Sequence, residues 1–131
     1  MKKSHLSNLK KGVDFFNNWR HQNPDERIDL NGAILSEENL AGVDLHGAML
    51  IQAKLIKSNL TGADLSGAYL MEADLRMADL TNARLNGADL TGADLSEAII
   101  EGTDIENAAL KKTQMRFCKN ARQDYKTIII R

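Results

Sequence analysis

The stretch that decides the fold reads Ala-Asp-Leu-Ser-Gly at residues 63–67 and returns as Ala-Asp-Leu-Thr-Gly at residues 88–92. Leucine or isoleucine stands at every fifth position from Leu30 to Leu110, and alanine precedes it by two residues in twelve of these seventeen units. The repeating unit is therefore Ala-(Asp/Asn)-Leu-x-Gly. A period of five fits neither the 3.6-residue helix nor the two-residue strand, so the chain must turn within each unit.

The residue types within one unit predict where it turns. In an extended segment alternate side chains share a face, so the alanine and the leucine point one way and the Asp or Asn between them points the other. The Ser or Thr and the Gly that follow suit a tight corner, because Gly accepts a positive φ. Repeated corners of one hand coil the chain, with coils stacked about 4.8 Å apart like neighbouring strands. The pattern predicts a solenoid with a leucine-filled axis.

Over roughly residues 28–117 these tandem units resemble the pentapeptide-repeat family. The resemblance implies an all-β solenoid, a right-handed quadrilateral β-helix with an N-terminal α-helical cap and four pentapeptides per coil. Eighteen units, counting Met115 as the last centre, would then make about four and a half coils and a rod of about 20 Å.

The two ends of a solenoid expose strand edges and core, so caps are expected there. We predict a capping helix and linker at residues 1–26, ending at Asn23-Pro24 and begun by Ser4 or Ser7. Its apolar stripe recurs at helical spacing and can cover the first coil: Leu6, Leu9, Val13, Phe16 and Trp19. The segment 15–24 also resembles the leader of many bacterial members of the family. Lysines beside the stripe leave a membrane-surface helix as an alternative.

Residues 27–117 form the predicted pentapeptide-repeat β-helix, and residues 118–131 form a C-terminal tail or cap. In that tail, Tyr125 and the run Ile128-Ile129-Ile130 either fold back over the last coil or pair with the edge of a second chain, which would make a homodimer. Cys118 falls at an inward, alanine-like position, where a buried and unreactive thiol is expected.

Composition fits one cytoplasmic domain of 131 residues. The chain is 43% hydrophobic with few aromatic residues, as expected for a narrow core filled by repetition. Its sequence contains neither a long apolar run nor the apolar stretch of a signal peptide. We therefore expect a cytoplasmic protein without membrane partners.

Charge is distributed unevenly along the chain. The total is −1, but residues 59–110 contain ten acidic residues and two arginines, whereas residues 111–131 contain seven basic residues and Asp124. Some members of the family that the repeats resemble imitate B-DNA and bind a type II topoisomerase in its place. This chain is a weaker candidate for that role, because Arg84 interrupts the column of Asp44, Asp64 and Asp104. Direct binding of nucleic acid is not expected.

Catalysis is not expected, since a core of stacked Leu and Ala leaves no room for a deep pocket. Glu38 occupies an inward alanine slot, which predicts a distorted corner or a side chain that escapes at the first coil. The three histidines, His5, His21 and His46, are far apart in sequence and are predicted to be solvated rather than to bind a metal. We predict no catalytic residue, no cofactor and no metal.

Residues twenty apart should stack, so the outward positions sort into columns. Most columns are polar, but one is apolar, and two further apolar residues lie on the adjacent side beside Lys54, Lys57 and Arg76. These candidate partner-binding residues are Met49, Ile51, Tyr69, Met71, Ile56 and Met77. A contiguous apolar patch on a rod favours a contact surface. The alternative is that the chain's own tail covers the patch. The sequence thus predicts a non-enzymatic protein-interaction module whose partner is another protein.

Overall fold

The computed structural model describes residues 1–125 and consists of a helical N-terminal segment followed by a four-sided coil. Helix α1 spans Lys3–Lys10 and helix α2 spans Val13–Gln22, and a short 3-10 helix at Gln123–Tyr125 follows the coil. Fifteen parallel β-bridges join residues twenty apart, from Asp29 with Met49 to Ile99 with Lys119. Four pentapeptides therefore complete one coil, as predicted.

Backbone hydrogen bonds between coils hold the solenoid together. The N–H of Leu50 donates to the carbonyl of Tyr69 at 2.8 Å, and the N–H of Gln52 donates to Met71 at 2.9 Å. In the other direction, the N–H of Met49 donates to Ile28 at 2.8 Å. Each side of a coil thus pairs like a very short parallel strand with the coils below and above it.

The interior is built from the alanine and leucine positions. Every unit centre from Leu30 to Leu95 is buried, and so is every alanine from Ala33 to Ala98 that lies two residues before a centre. At two inward positions a hydroxyl residue replaces alanine and donates to a backbone carbonyl. Thr103 Oγ1 donates to the carbonyl of Leu80 at 2.6 Å, and Ser58 Oγ donates to the carbonyl of Leu55 at 2.8 Å. Hydrogen bonding to the backbone lets these positions stay buried.

Each corner places one residue in the left-handed region. The second residue after every centre has a φ between 58° and 72°, and eight glycines and ten other residues fill these positions. The corner is a four-residue turn closed by a backbone bond, for example from the N–H of Ala63 to the carbonyl of Leu60 at 3.0 Å. Asp79 Oδ1 accepts from both the N–H of Thr81 at 3.0 Å and its hydroxyl at 2.6 Å. The Asp-x-Ser/Thr-Gly pattern is thus the chemistry of one corner.

The N-terminal cap is two helices, which corrects the prediction of a single one. The chain breaks at Lys11-Gly12, where Gly12 has a φ of 114° that other residues rarely adopt. The predicted capping role of Ser4 or Ser7 is also wrong, because α1 starts at Lys3 and its N-cap, Lys2, makes no side-chain cap bond. Helix α2 does end where the Asn23-Pro24 pair predicts, at Gln22 with Asn23 as its C-cap.

The two helices bury their apolar stripe against the first coils. Leu9 and Phe16 belong to the same buried cluster as the repeat leucines, and Leu6, Val13 and Trp19 pack against it. The apolar stripe is therefore used within the chain, which leaves little of it to enter a membrane. Within residues 1–125 we find no helix long and apolar enough to cross a bilayer.

Polar bonds tie the cap to the first coil. Arg20, only 8% exposed, donates from Nη1 to the carbonyls of Asp44 and His46, each at 3.0 Å. Asn17 donates from Nδ2 to the carbonyl of Gly42 and accepts from the N–H of Asp44 at 2.8 Å. These bonds satisfy backbone groups of the coil that face the cap.

At the other end the chain turns back over the last coil. Tyr125 is buried, its hydroxyl accepts from the N–H of Ile105 at 3.4 Å, and the guanidinium of Arg122 lies 4.6 Å from the centre of its ring. Tyr125 therefore takes the predicted capping position. The prediction for Ile128, Ile129 and Ile130 falls outside the described residues.

Candidate protein-interaction surface

The structure brings together four of the six residues predicted for partner binding. Met49 and Tyr69 form a parallel bridge, so one lies directly above the other on the same side of the coil. Ile51 and Met71 follow the same two centres and are likewise twenty residues apart. We call these four residues the apolar column: Met49, Ile51, Tyr69 and Met71.

The apolar column is partly open to solvent. Tyr69 is 41% exposed, and the other three members are half-buried. Their neighbours along the same side are polar: Asp29 pairs with Met49 from below, and Asp89 pairs with Tyr69 from above. The apolar column therefore covers two coils and is bounded by an acidic residue below and another above.

Replacing Asp by Met49 removes the usual acceptor for the corner that follows. The coil below supplies another, because Asn31 Oδ1 accepts from the N–H of Ile51 at 2.8 Å. Ile56 is satisfied in the same way, since its N–H donates to Ser36 Oγ at 3.2 Å. The N–H groups of Ile51 and Ile56 are therefore paired although no Asp or Asn precedes them by two residues.

Ile56 and Met77 lie on the adjacent side and belong to two different columns. Ile56 is half-buried beneath Arg76, and Met77 occupies a corner above Lys57 with a φ of 59° and 39% exposure. These two residues therefore extend the apolar surface around one corner but do not stack on each other.

The basic residues at the border differ in availability. Arg76 is bound to Asp74 in a bidentate pair, with Nε–Oδ1 and Nη2–Oδ2 distances both 2.8 Å. This pairing lowers the pKa of Asp74 and raises that of Arg76. Lys54 and Lys57 are exposed, and no carboxylate of the described residues lies within 4.0 Å of their ammonium groups. The border therefore offers two lysines to a partner.

Sequence reasoning missed one residue of this surface. Ile34 is 71% exposed and lies directly beneath Lys54, on the side adjacent to the apolar column. The available signal was its position, because Ile34 stands in the slot that usually holds Asp or Asn. It enlarges the apolar area at the first coil.

A second cluster lies near α2. Ligand atoms of Asp44, His46 and Asp64 lie within 4.8 Å of one another. Each carboxylate already faces a guanidinium, with Arg20 at 3.4 Å from Asp44 and Arg84 at 3.7 Å from Asp64. Burial opposes ionisation of Asp44, but the hydrogen bonds from His46 hold its pKa below the usual value. These cations offset the charge that would attract a metal ion.

The prediction that all three histidines are solvated is wrong for His5. It is 1% exposed, accepts from the N–H of Asp29 at Nδ1 at 2.9 Å, and places Nε2 at 3.0 Å from Glu26. Its ring also lies 5.5 Å from that of Trp19. His5 is therefore a structural part of the cap, whereas His21 and His46 are exposed.

Glu38 escapes from its inward slot, as predicted. Its carboxylate forms an ion pair with Lys10 of α1 while its backbone keeps the coil register, since its carbonyl accepts from the N–H of Asn59 at 2.9 Å. The corner therefore remains regular, and the acid joins the cap to the first coil.

Comparison with known proteins identifies the repeats. The family profile described as pentapeptide repeats matches eight copies, over residues 26–62, 50–87, 73–111 and 88–119. No curated protein matches the chain.

Solved structures of similar proteins share the coil. A pentapeptide repeat protein, Rfr23, of the cyanobacterium Cyanothece 51142 is 40% identical over 70% of this chain, with a TM-score of 0.66, and the match covers 63% of that protein. A pentapeptide repeat protein of the Arabidopsis thaliana thylakoid lumen is 28% identical over 82% of this chain and 78% of its own, with a TM-score of 0.71. Another from Nostoc Pcc 7120 is 32% identical over 80% and 86%, with a TM-score of 0.54. This chain thus spans less than two thirds of the length of Rfr23.

Proposed function

The chain belongs to the pentapeptide-repeat family and forms its right-handed quadrilateral β-helix, and on that premise we propose that it is a non-enzymatic module that binds another protein through the apolar column. The observation that carries the proposal is the direct stacking of Tyr69 on Met49. On a coil whose outward slots are otherwise mostly Asp, Asn, Ser and Thr, this stack creates a contiguous apolar strip.

The chemistry of the strip favours a protein partner. Tyr and Met are enriched at the centres of protein interfaces, and charged residues are depleted there. Tyr69 is 41% exposed and presents a flat ring and a hydroxyl. Ile51 lies on the coil below it, and Met71 lies on the same coil. Exposed Lys54 and Lys57 supply a polar rim on the adjacent side.

The rigidity of the coil supports the same proposal. Backbone groups of adjacent coils are paired at 2.8 to 2.9 Å along this side, so the column residues stand at a fixed spacing before a partner arrives. A preorganised surface loses little conformational entropy on binding. The interior is filled by buried leucines and alanines, which supports a binding role rather than catalysis.

Imitation of DNA has less support from the same structure. The acidic column that it would use holds Asp44 and Asp64, and guanidinium groups of Arg20 and Arg84 already lie beside them. Arg84 itself occupies the next place in that column, between Asp64 and Asp104. A supercoiling assay with a purified type II topoisomerase tests this second function, and absence of any effect would end it.

The proposal is tested by affinity capture with the native chain and an Ile51→Glu/Tyr69→Lys variant. Both positions point outward, so the fold should survive, which circular dichroism would verify. We expect a protein that the native chain retains to be lost by the variant. A photo-crosslinking residue at position 69 should then attach to that same protein.

A matched control separates the column from a general effect of charge. The variant Thr61→Glu/Ile99→Lys introduces the same two charges at equivalent places of the pentapeptide on a different side of the coil. It should retain the partner. Equal capture by both double variants would show that binding does not use the apolar column, and the proposal would be abandoned.

A further inference from the structure

The last coil carries a set of exposed basic residues and one exposed aromatic residue. We call this set the basic rim: Lys111, Lys112, Arg116, Phe117, Lys119 and Arg122. All six side chains are exposed. The rim is far in sequence from the apolar column and forms a separate surface at the C-terminal end of the rod.

Most of the rim lies at one level of the rod. Carbonyls of Lys111, Arg116 and Lys119 accept from the coil below, from Gly92 at 2.9 Å, Glu97 at 2.8 Å and Ile100 at 2.9 Å. Three successive sides of the last coil therefore carry rim residues, and each of these sides stacks on the coil below. Their side chains lie around the C-terminal end of the rod.

Among residues 1–125, Phe117 is the most exposed large hydrophobic residue, at 78%. It also sits at a corner with a φ of 60°, where eight of the other repeats place glycine. A bulky residue in the left-handed region is strained, and here so little burial accompanies it that packing cannot explain its presence. An exposed aromatic residue held in a strained corner between Arg116 and Lys119 is suited to contact something outside the chain.

Charge reverses along the rod just below the rim. Among the described residues, the basic rim has one ion pair within 4.0 Å, between Arg122 and Asp124. Residues 59–110 carry ten acidic residues and two arginines. An anionic partner is therefore attracted to the three sides of the last coil that carry the rim, and repelled by the fourth side, where Asp104 and Glu106 lie, and by the coils below.

We propose that the basic rim docks end-on against an anionic phospholipid surface, with Phe117 entering the headgroup region. Lysine and arginine bind anionic headgroups, and an aromatic side chain beside them inserts into the interface. Basic side chains on three sides of one coil, with one aromatic residue among them, suit an extended anionic surface. Single-stranded nucleic acid instead favours a groove with several stacking aromatics. This surface is distinct from the N-terminal helices, whose apolar stripe is buried.

The test uses the full chain and its co-sedimentation with vesicles. We expect binding to vesicles of phosphatidylcholine containing phosphatidylglycerol, no binding to phosphatidylcholine alone, and loss of binding at high salt because charges are then screened. Arg116→Glu/Lys119→Glu should weaken binding by more than about twentyfold, since each basic residue near such a surface contributes about fivefold.

Phe117→Gly is the variant that tests the role of the aromatic side chain most directly. Glycine suits the corner, so thermal stability should hold or rise, while vesicle binding should fall at least about fivefold because the inserted side chain is gone. Asn82→Gly is the matched control, since Asn82 occupies an equivalent corner with a φ of 58° on a part of the coil assigned to neither surface. It should bind vesicles like the native chain.

Three results would each overturn the proposal. The first is failure of the native chain to bind anionic vesicles. The second is binding of the rim variants to vesicles as strongly as the native chain. The third is binding of the chain to RNA or DNA, but not to vesicles, at the same salt concentration. Undiminished binding by the rim variants would assign membrane contact to the N-terminal lysines instead.

Discussion

Asp89 accepts two hydrogen bonds from Thr91, one from the backbone N–H at 3.0 Å and one from the hydroxyl at 2.6 Å. The carboxylate therefore acts as the local cap of its corner. Asp89→Ala should lower the free energy of unfolding by about 1 kcal/mol, because the corner N–H loses its acceptor. Thr91→Val removes only the hydroxyl bond and should cost less. Urea denaturation of both variants measures the difference, and an equal loss would contradict this account of the corner.

Acid should destabilise the protein through these same carboxylates. The hydrogen bond from Thr91 lowers the pKa of Asp89, and the bond from Arg76 lowers that of Asp74. A carboxyl with a lower pKa in the folded state stabilises the fold above the unfolded-state pKa, about 4, and this stabilisation is lost as pH falls through the folded-state value. The melting temperature should therefore be level near neutral pH and fall below about pH 4. The double variant Asp74→Asn/Asp89→Asn should show a smaller fall, and an unchanged acid profile would contradict the assignment.

Corner positions should prefer glycine wherever the side chain makes no contact. A Cβ added at Gly62 would have nothing within 4 Å, so Gly62→Ala should be destabilised only by its φ of 67°, by about 1 kcal/mol. The converse change, Met77→Gly, should be neutral or stabilising by up to about 1 kcal/mol, since relief of the left-handed strain competes with a more flexible unfolded chain. Chemical denaturation of the two variants checks the pair, and stabilisation by Gly62→Ala would refute it.

Arg20 should be the most sensitive residue of the cap. Its Nη1 donates to two carbonyls of the first coil at 3.0 Å each. Burial lowers its pKa, although Asp44 acts in the opposite direction. Arg20→Met keeps much of the apolar stem but leaves both carbonyls unpaired, so it should cost about 2–3 kcal/mol. Hydrogen exchange should show the loss first in residues 28–46, next to the cap. Asn18→Ala, at an exposed position of the same helix, is the control and should change little.

Cys118 should be slow to react in the folded protein. Its thiol donates to the carbonyl of Leu95 at 3.1 Å, and burial raises its pKa to about 11. Since the thiolate is the reactive form, alkylation or disulfide exchange near pH 8 should be about a hundredfold slower than in the urea-unfolded chain. A thiol-reactive chromophore measures both rates. Equal rates would show that the thiol is not held as the structure describes.

The coil was predictable because its determinants are local. One corner, such as Leu60 to Ala63, contains the turn, the glycine at its left-handed position and the carbonyl that accepts its closing hydrogen bond. The same short sequence pattern therefore predicts the same corner in every unit. The number of units per coil does not follow from the pattern of one unit, since it depends on the angle through which each corner turns the chain. It came from the family resemblance and is confirmed by the bridges between residues twenty apart.

The cap was less predictable, because its details depend on contacts that are distant in sequence. The spacing of Leu9 and Phe16 is continuous across Gly12, so periodicity alone does not reveal the break between the two helices. His5 carries no sequence signal of burial, because its partners Glu26 and Asp29 lie more than twenty residues away. At the candidate surface, Tyr69 and Met49 follow from the register. Ile34 has the same sequence signal as Met49, since it stands in a slot that usually holds Asp or Asn, and its contribution to the surface becomes apparent once its 71% exposure is known.

Because residues twenty apart pair, the side of the coil on which a residue lies depends on how many residues separate it from the coil below. If one pentapeptide were inserted between Met49 and Tyr69, every corner would remain intact, but Tyr69 would move by a quarter turn and stand above Lys54 instead. If four pentapeptides were inserted, Tyr69 would keep its side and only gain height. Gain or loss of single units can therefore redistribute surface residues among the four sides without altering any core contact type, whereas gain or loss of whole coils changes only the reach of the rod.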